Sequence, residues 1–135
     1  MSDTILHECG IALVRLRKPL SYYIEKYGPS YGMNKMYILM EKQHNRGQDG
    51  AGIANIKIDQ RPGFRYISRY RSMKQMPVAD LFKKIGKKYK KAQKEGKEKF
   101  KDEQWLKENL AFSGELWLGH LRYGTHGFNS IENVH

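Results

Sequence analysis

The chain has 135 residues, with 25 Lys or Arg against 14 Asp or Glu and a formal charge of +11. That length suits one domain or part of one, and 39% apolar residues supply only a lean core. No apolar run approaches the ~20 residues of a membrane span, the N-terminus lacks the regions of a secretory signal, and one cysteine excludes an internal disulfide framework; the expectation is a basic, cytoplasmic protein with no membrane association.

In chain order, Ile11 to Leu16 is a short apolar run that predicts a buried strand. Arg17 to Gly32 is tyrosine-rich and punctuated by Pro19, Gly28, Pro29 and Gly32, which predicts a loop. Met33, Met36, Tyr37 and Met40 fall at i, i+3, i+4 and i+7, predicting an amphipathic helix that ends near Gln43. A polar, glycine-rich turn follows through Gly52. Ile53 to Ile58 predicts a strand, Gln60 to Gly63 a turn, and Phe64 to Tyr70 the hairpin partner. Glu115 to His120 predicts a final strand. This alternation predicts a layered α/β or α+β fold.

Between the hairpin and the last strand lies a lysine-rich helical segment at about 78–110. From Lys83 to Lys107 it carries 11 lysines against four acidic residues, a net charge of +7. Val78, Leu81, Phe82, Ile85 and Tyr89 recur at helical spacing, so the lysines read as the solvated face of an amphipathic helix. Gly86 and Gly96 each weaken that helix by roughly 1 kcal/mol, and fraying or a break after Tyr89 is expected. Clustered lysines also suit phosphate backbones. The run has few aromatic residues and no arginine, so nucleic acid is the disfavoured partner.

Three islands concentrate residues with chemical potential. They are Glu8-Cys9-Gly10, the stretch from Gln43 to Gly52, and the stretch from Gly119 to Gly127. Cys9 is the sole thiol: a lone cysteine is commonly a small buried hydrophobe, and less often a nucleophile. Arg122 offers a fork suited to a carboxylate or phosphate, with a surface ion pair as the plainer reading. Neither GxxxxGK[ST] nor GxGxxG occurs.

Taken together and in order, the islands resemble the glutaminase domain of the class II glutamine amidotransferases, which are N-terminal-nucleophile hydrolases. The resemblance rests on Cys9-Gly10, on Gln43-His44-Asn45-Arg46-Gly47-Gln48 with Ala51-Gly52-Ile53, and on Gly119-His120-Leu121-Arg122-Tyr123. It spans residues 9 to 127 and is strongest toward the amidophosphoribosyltransferases, which open purine synthesis.

The resemblance implies an α+β fold, a four-layer αββα sandwich incomplete at the C-terminus. Residues 1–8 would be a propeptide, and 9–135 the N-terminal part of the domain. Cys9 would be the nucleophile, with its own freed α-amine as proton acceptor. An α-amine near 7.7–8.0 and a thiol near ~8.5 exchange a proton readily at neutral pH. Arg122 would bind the α-carboxylate of glutamine, Tyr123 and Thr125 would line the pocket, and Arg46 and Gly47 would position Cys9 and substrate. Asn45 is an extra residue in the usual His-Arg pairing. His120 and His126 are expected to be structural. No histidine pair has metal-ligand spacing, so no metal or cofactor is expected in this chain.

The family's Asn-Gly oxyanion segment and the Asp that binds the substrate amine are expected downstream of His135. So is a phosphoribosyltransferase domain, with Mg2+ and phosphoribosylpyrophosphate as its partners. The expectation is a fragment inactive alone and a homo-oligomer at full length. The lysine-rich segment has no family counterpart. A sibling reading, glucosamine-6-phosphate synthase, keeps the chemistry and changes the ammonia acceptor. Readings of another class are a non-enzymatic, basic nucleic-acid-binding protein and a degenerate amidotransferase fold serving regulation.

Overall fold

The computed structural model describes residues 9–43 and 49–122. Its elements run β1 (Gly10–Arg15), α1 (Leu20–Tyr27), α2 (Tyr31–Lys42), β2 (Gly50–Ile56), β3 (Ile67–Ser72), α3 (Pro77–Glu95), α4 (Glu103–Asn109) and β4 (Leu116–Arg122). The domain is α+β, with one antiparallel four-stranded sheet in the order β1-β4-β2-β3. The last strand therefore lies inside the sheet. It separates β1 from β2, which run parallel to each other on either side of it.

The strand alternation explains the layers. Ala12, Ile53, Asn55, Trp117 and Leu121 are buried on the helical face. Met36 and Met40 of α2 pack over Gly119, where a Cβ would stand 2.6 Å from one methionine and 2.8 Å from the other. Val78, Leu81 and Ile85 of α3 are fully buried, and α3 packs on β2 and β3. The lysine-rich segment thus supplies a large part of the core. Among the described residues no helix covers the opposite face of the sheet. Ile11, Leu13, Ile67 and Leu118 stand there 76%, 56%, 41% and 37% exposed.

Several boundaries differ from the sequence reading. The expected loop from Arg17 to Gly32 contains a helix, α1, because Leu20 and Ile24 form a buried i, i+4 pair behind Pro19. Gly28 ends it at φ 100°, the left-handed region that glycine favours. The glycine-rich turn gives way to strand at Gly50, since Gly50, Ala51 and Gly52 pair with β4. The hairpin partner is shifted to Ile67–Ser72. In place of the expected break after Tyr89, α3 continues to Glu95 because Tyr89 and Ala92 are buried. A separate helix, α4, then starts where the Asp102 carboxylate accepts the Trp105 backbone N–H at 2.8 Å. Among the described residues no helix is long and apolar enough to cross a membrane.

The entry to β4 is held by a buried polar clamp. The Asn55 side chain is 0% exposed. Its Oδ1 accepts the Gly114 N–H at 2.6 Å, and its Nδ2 donates to the carbonyls of Gly114 at 3.0 Å and Leu116 at 3.3 Å. Gly114 lies so close to β2 that a Cβ would meet the Ile56 carbonyl oxygen at 2.3 Å. Asn55→Ala removes three hydrogen bonds and leaves the buried Gly114 backbone without its side-chain partner, each lost bond costing about 1–3 kcal/mol. Urea denaturation is expected to show a destabilisation of at least about 2 kcal/mol with an unchanged m-value.

Candidate functional site

The described parts of the three islands meet at one end of the sheet. Gly10 pairs with Leu121, and Gly50 pairs with Arg122. Cys9 is the next residue beyond the Gly10–Leu121 pair, on the side of Arg122. The Asp49 N–H donates to the Arg122 carbonyl at 2.9 Å, extending the β2–β4 ladder by one bond. Cys9 is exposed, so it does not serve as a core-filling hydrophobe. Arg122 is half-buried and lies on the bare face of the sheet, the same side as His120 and Leu118. His120 stands between Ile11 and Gly52.

Gln43 closes this end from the helical side. It is the C-cap residue of α2, and its Nε2 donates to the Ile11 carbonyl at 3.1 Å. Its Oε1 occupies the space beside Gly10, where a Cβ would stand only 2.6 Å away. Gly10 and the first residue of the second island are therefore packed on each other. This role for Gln43 was missed from sequence, which placed it in a motif without assigning it a contact. Arg46, Gly47, Tyr123 and Thr125 lie outside the described residues, as do His44, His126 and residues 1–8. Among the described residues no group of three His, Cys, Asp or Glu side chains could hold a metal ion.

The other end of the sheet carries a buried charge network that sequence reasoning did not single out. Lys107 Nζ lies 2.7 Å from Glu115 Oε1 and donates to the Ile58 carbonyl at 2.6 Å. Glu115 Oε2 accepts the Ile58 N–H at 2.8 Å. Lys57 Nζ donates to the Lys107 carbonyl at 2.7 Å. Burial pushes the Lys57 amine down to about 8, and the neighbouring Arg65 and Lys107 charges add to the shift. Ile58, Lys107 and Glu115 line a cleft of about 690 Å3 between the end of β1, the β2–β3 turn and α4.

No family model matches the chain, and neither curated proteins nor solved structures show significant similarity to it.

Two outcomes follow from these contacts. In a double-mutant cycle, Gly10→Ala is expected to cost about 0.5–1.5 kcal/mol while Gln43 is present. In the Gln43→Ala background most of that cost should vanish, as measured by urea titration. Lys57 gives a pH signature. Its folded value of about 8 lies below the ordinary 10.5, so between those values the unfolded chain binds more protons and stability rises with pH. Lys57→Met should lack this rise with pH, so it compares best with the parent at pH 7, less the bond to the Lys107 carbonyl that it gives up. Thermal melts should show the parent gaining on the variant as the pH is raised from 8 toward 10.

Proposed function

We propose that this chain is part of a class II glutamine amidotransferase, with Cys9 the nucleophile of its glutaminase reaction. The observation that carries the reading is the meeting of Cys9, Gln43, Gly50 and Arg122 at one end of the sheet, although they are spread over more than a hundred positions of sequence. Each belongs to one of the three islands whose pattern resembles the family. The exposure of Cys9 is the accessibility a nucleophile needs.

In the proposed reaction the Cys9 thiolate attacks the side-chain carboxamide carbon of glutamine. The C–N bond breaks, the nitrogen leaves as ammonia after gaining a proton, and a glutamyl thioester remains. Water then attacks the thioester, releasing glutamate and restoring the thiol. The proton acceptor is the α-amine of Cys9, which exists only after residues 1–8 are removed. Arg122 pairs with the substrate α-carboxylate through a charge-assisted fork. Tyr123 and Thr125 line the pocket, while Arg46 and Gly47 position the nucleophile. The ammonia is passed to phosphoribosylpyrophosphate by a further, Mg2+-dependent domain.

The bare sheet face supports the finer fold assignment. Within that face Ile11, Leu13 and Leu118 form an exposed apolar patch, and such a patch marks a surface that another element covers. A second sheet packed there would complete an αββα sandwich, with Arg122 facing into the space between the sheets.

The test is intact-mass analysis of the protein from its native gene, before and after a glutamine analogue bearing an electrophilic carbon in place of the amide. The expected result is a protein beginning at Cys9 that gains one adduct, with none on Cys9→Ser and at least tenfold slower labelling of Arg122→Ala. A protein that retains residues 1–8 and takes no label would overturn the proposal.

A further inference from the structure

The cleft beside the buried charge network is lined on one side by the chain that leaves β1. Leu16 is buried, and its N–H donates to the Glu115 carbonyl at 2.8 Å, so the strand conformation runs one residue past β1. Arg15 and Arg17 flank Leu16 and are both exposed, on the opposite side of the strand from it and about 7 Å apart by strand rise. Lys18 follows, its amine 4.0 Å from the centre of the Tyr22 ring. All three cations line the cleft.

The facing wall is acidic, and its carboxylates are already engaged. Glu115 and Glu103 lie 2.7 Å and 3.8 Å from the Lys107 amine. Glu103 also accepts the Ser21 N–H at 3.2 Å. Glu108 pairs with Arg61, and Asp102 caps α4. Among the described residues no carboxylate stands within ion-pair distance of Arg15, Arg17 or Lys18. Of the carboxylates that line the cleft, Asp59 alone is in no ion pair or helix cap among the described residues. The cleft therefore presents three uncompensated cations against one carboxylate, the excess that a small dianion neutralises.

We infer that the cleft binds a small dicarboxylate, with one carboxylate on the Arg15 guanidinium, the other on that of Arg17, and Lys18 beside them. A guanidinium fork matches a planar carboxylate. Two forks set apart on one extended segment suit a ligand whose carboxylates point away from each other. The acidic wall repels the same ligand and so holds it against the arginines. A long polyanion would have to run past those carboxylates. The volume of about 690 Å3 is that of a small-molecule site. Cys9 adjoins the other end of β1, about 20 Å from Arg15 by strand rise, so the inference does not rest on the glutaminase proposal.

The test is isothermal titration of the full chain at ~50 mM salt with fumarate and with maleate, in buffer alkaline enough that both are dianions. The two carry the same charge and the same atoms, and only fumarate holds its carboxylates apart. Fumarate should saturate one site with a Kd below about 1 mM and bind at least about fivefold tighter than maleate. Acetate at equal ionic strength should bind at least about tenfold more weakly than fumarate. Arg15→Gln and Arg17→Gln should each weaken fumarate binding at least about fivefold. Lys83→Gln, a change on α3 away from the cleft, should stay within about twofold. Circular-dichroism melts establish that each variant is folded. The inference is overturned if fumarate does not saturate, or if maleate and acetate bind as tightly, which would make the cleft a general anion attractor. It is equally overturned if both arginine variants fold and keep the parent's affinity. Should either variant fail to fold, the contrast between fumarate and maleate on the parent decides alone.

Discussion

The arrangement depends on one buried side chain. Asn55 projects from near the C-terminal end of β2 into the core and uses both ends of its amide on the segment that starts β4. An apolar residue there would still fill space, but it could not choose which backbone groups lie beside it. The amide can, because it offers one acceptor and two donors in fixed directions. It sets the height at which β4 enters between β1 and β2. A slip of one residue would turn every side chain of β4 to the other face. Trp117 and Leu121 would leave the core, and His120 and Arg122 would enter it.

That register carries the rest of the domain. Among the described residues β4 is the only neighbour of β1 in the sheet, and β1 brings Cys9 to the end where Arg122 emerges. The helices secure the same alignment from one side. Met36 and Met40 cover Gly119, while Gln43 at the end of the same helix reaches the Ile11 carbonyl. Packing at mid-sheet and polar contact at its end are thus two outputs of one helix, and the glutaminase proposal draws on both. The sheet's other end is organised differently. Its cations and carboxylates are buried together, and burial of the Lys57 amine, with the Arg65 and Lys107 charges nearby, is why that amine gives up a proton so readily.

Much of this was legible in the sequence where one physical signal dominated. The methionine spacing in α2, the apolar runs of β1 and β4, and the apolar stripe of α3 each report a single buried face. The misses came where signals competed. Tyrosines and prolines around Leu20 and Ile24 read as punctuation, yet two buried residues one turn apart were enough for a helix once α2 and α4 lay beside it. Gly50 and Gly52 read as a turn, but between two central strands a residue without a side chain costs little. At the site, the motif residues were visible as islands, and their convergence was not, because strand order is a property of pairings about a hundred residues apart.

The position of β4 has a consequence for how the chain acquires its structure during synthesis. Only the β2–β3 hairpin and the helices can form from neighbouring residues. β1 leaves the ribosome early with no strand to pair with, and its partner is made about 100 residues later. At roughly 5–20 residues per second that is a wait of about 5–20 s. Throughout it, Ile11, Leu13 and Val14 present an unpaired edge, the kind of segment that recruits other chains. The short length of β1 and the Arg-Lys-Pro sequence that follows it, from Arg17 to Pro19, limit that hazard. The same delay means that the end of the sheet holding Cys9 and Arg122 is assembled last, after the helical layer it rests on.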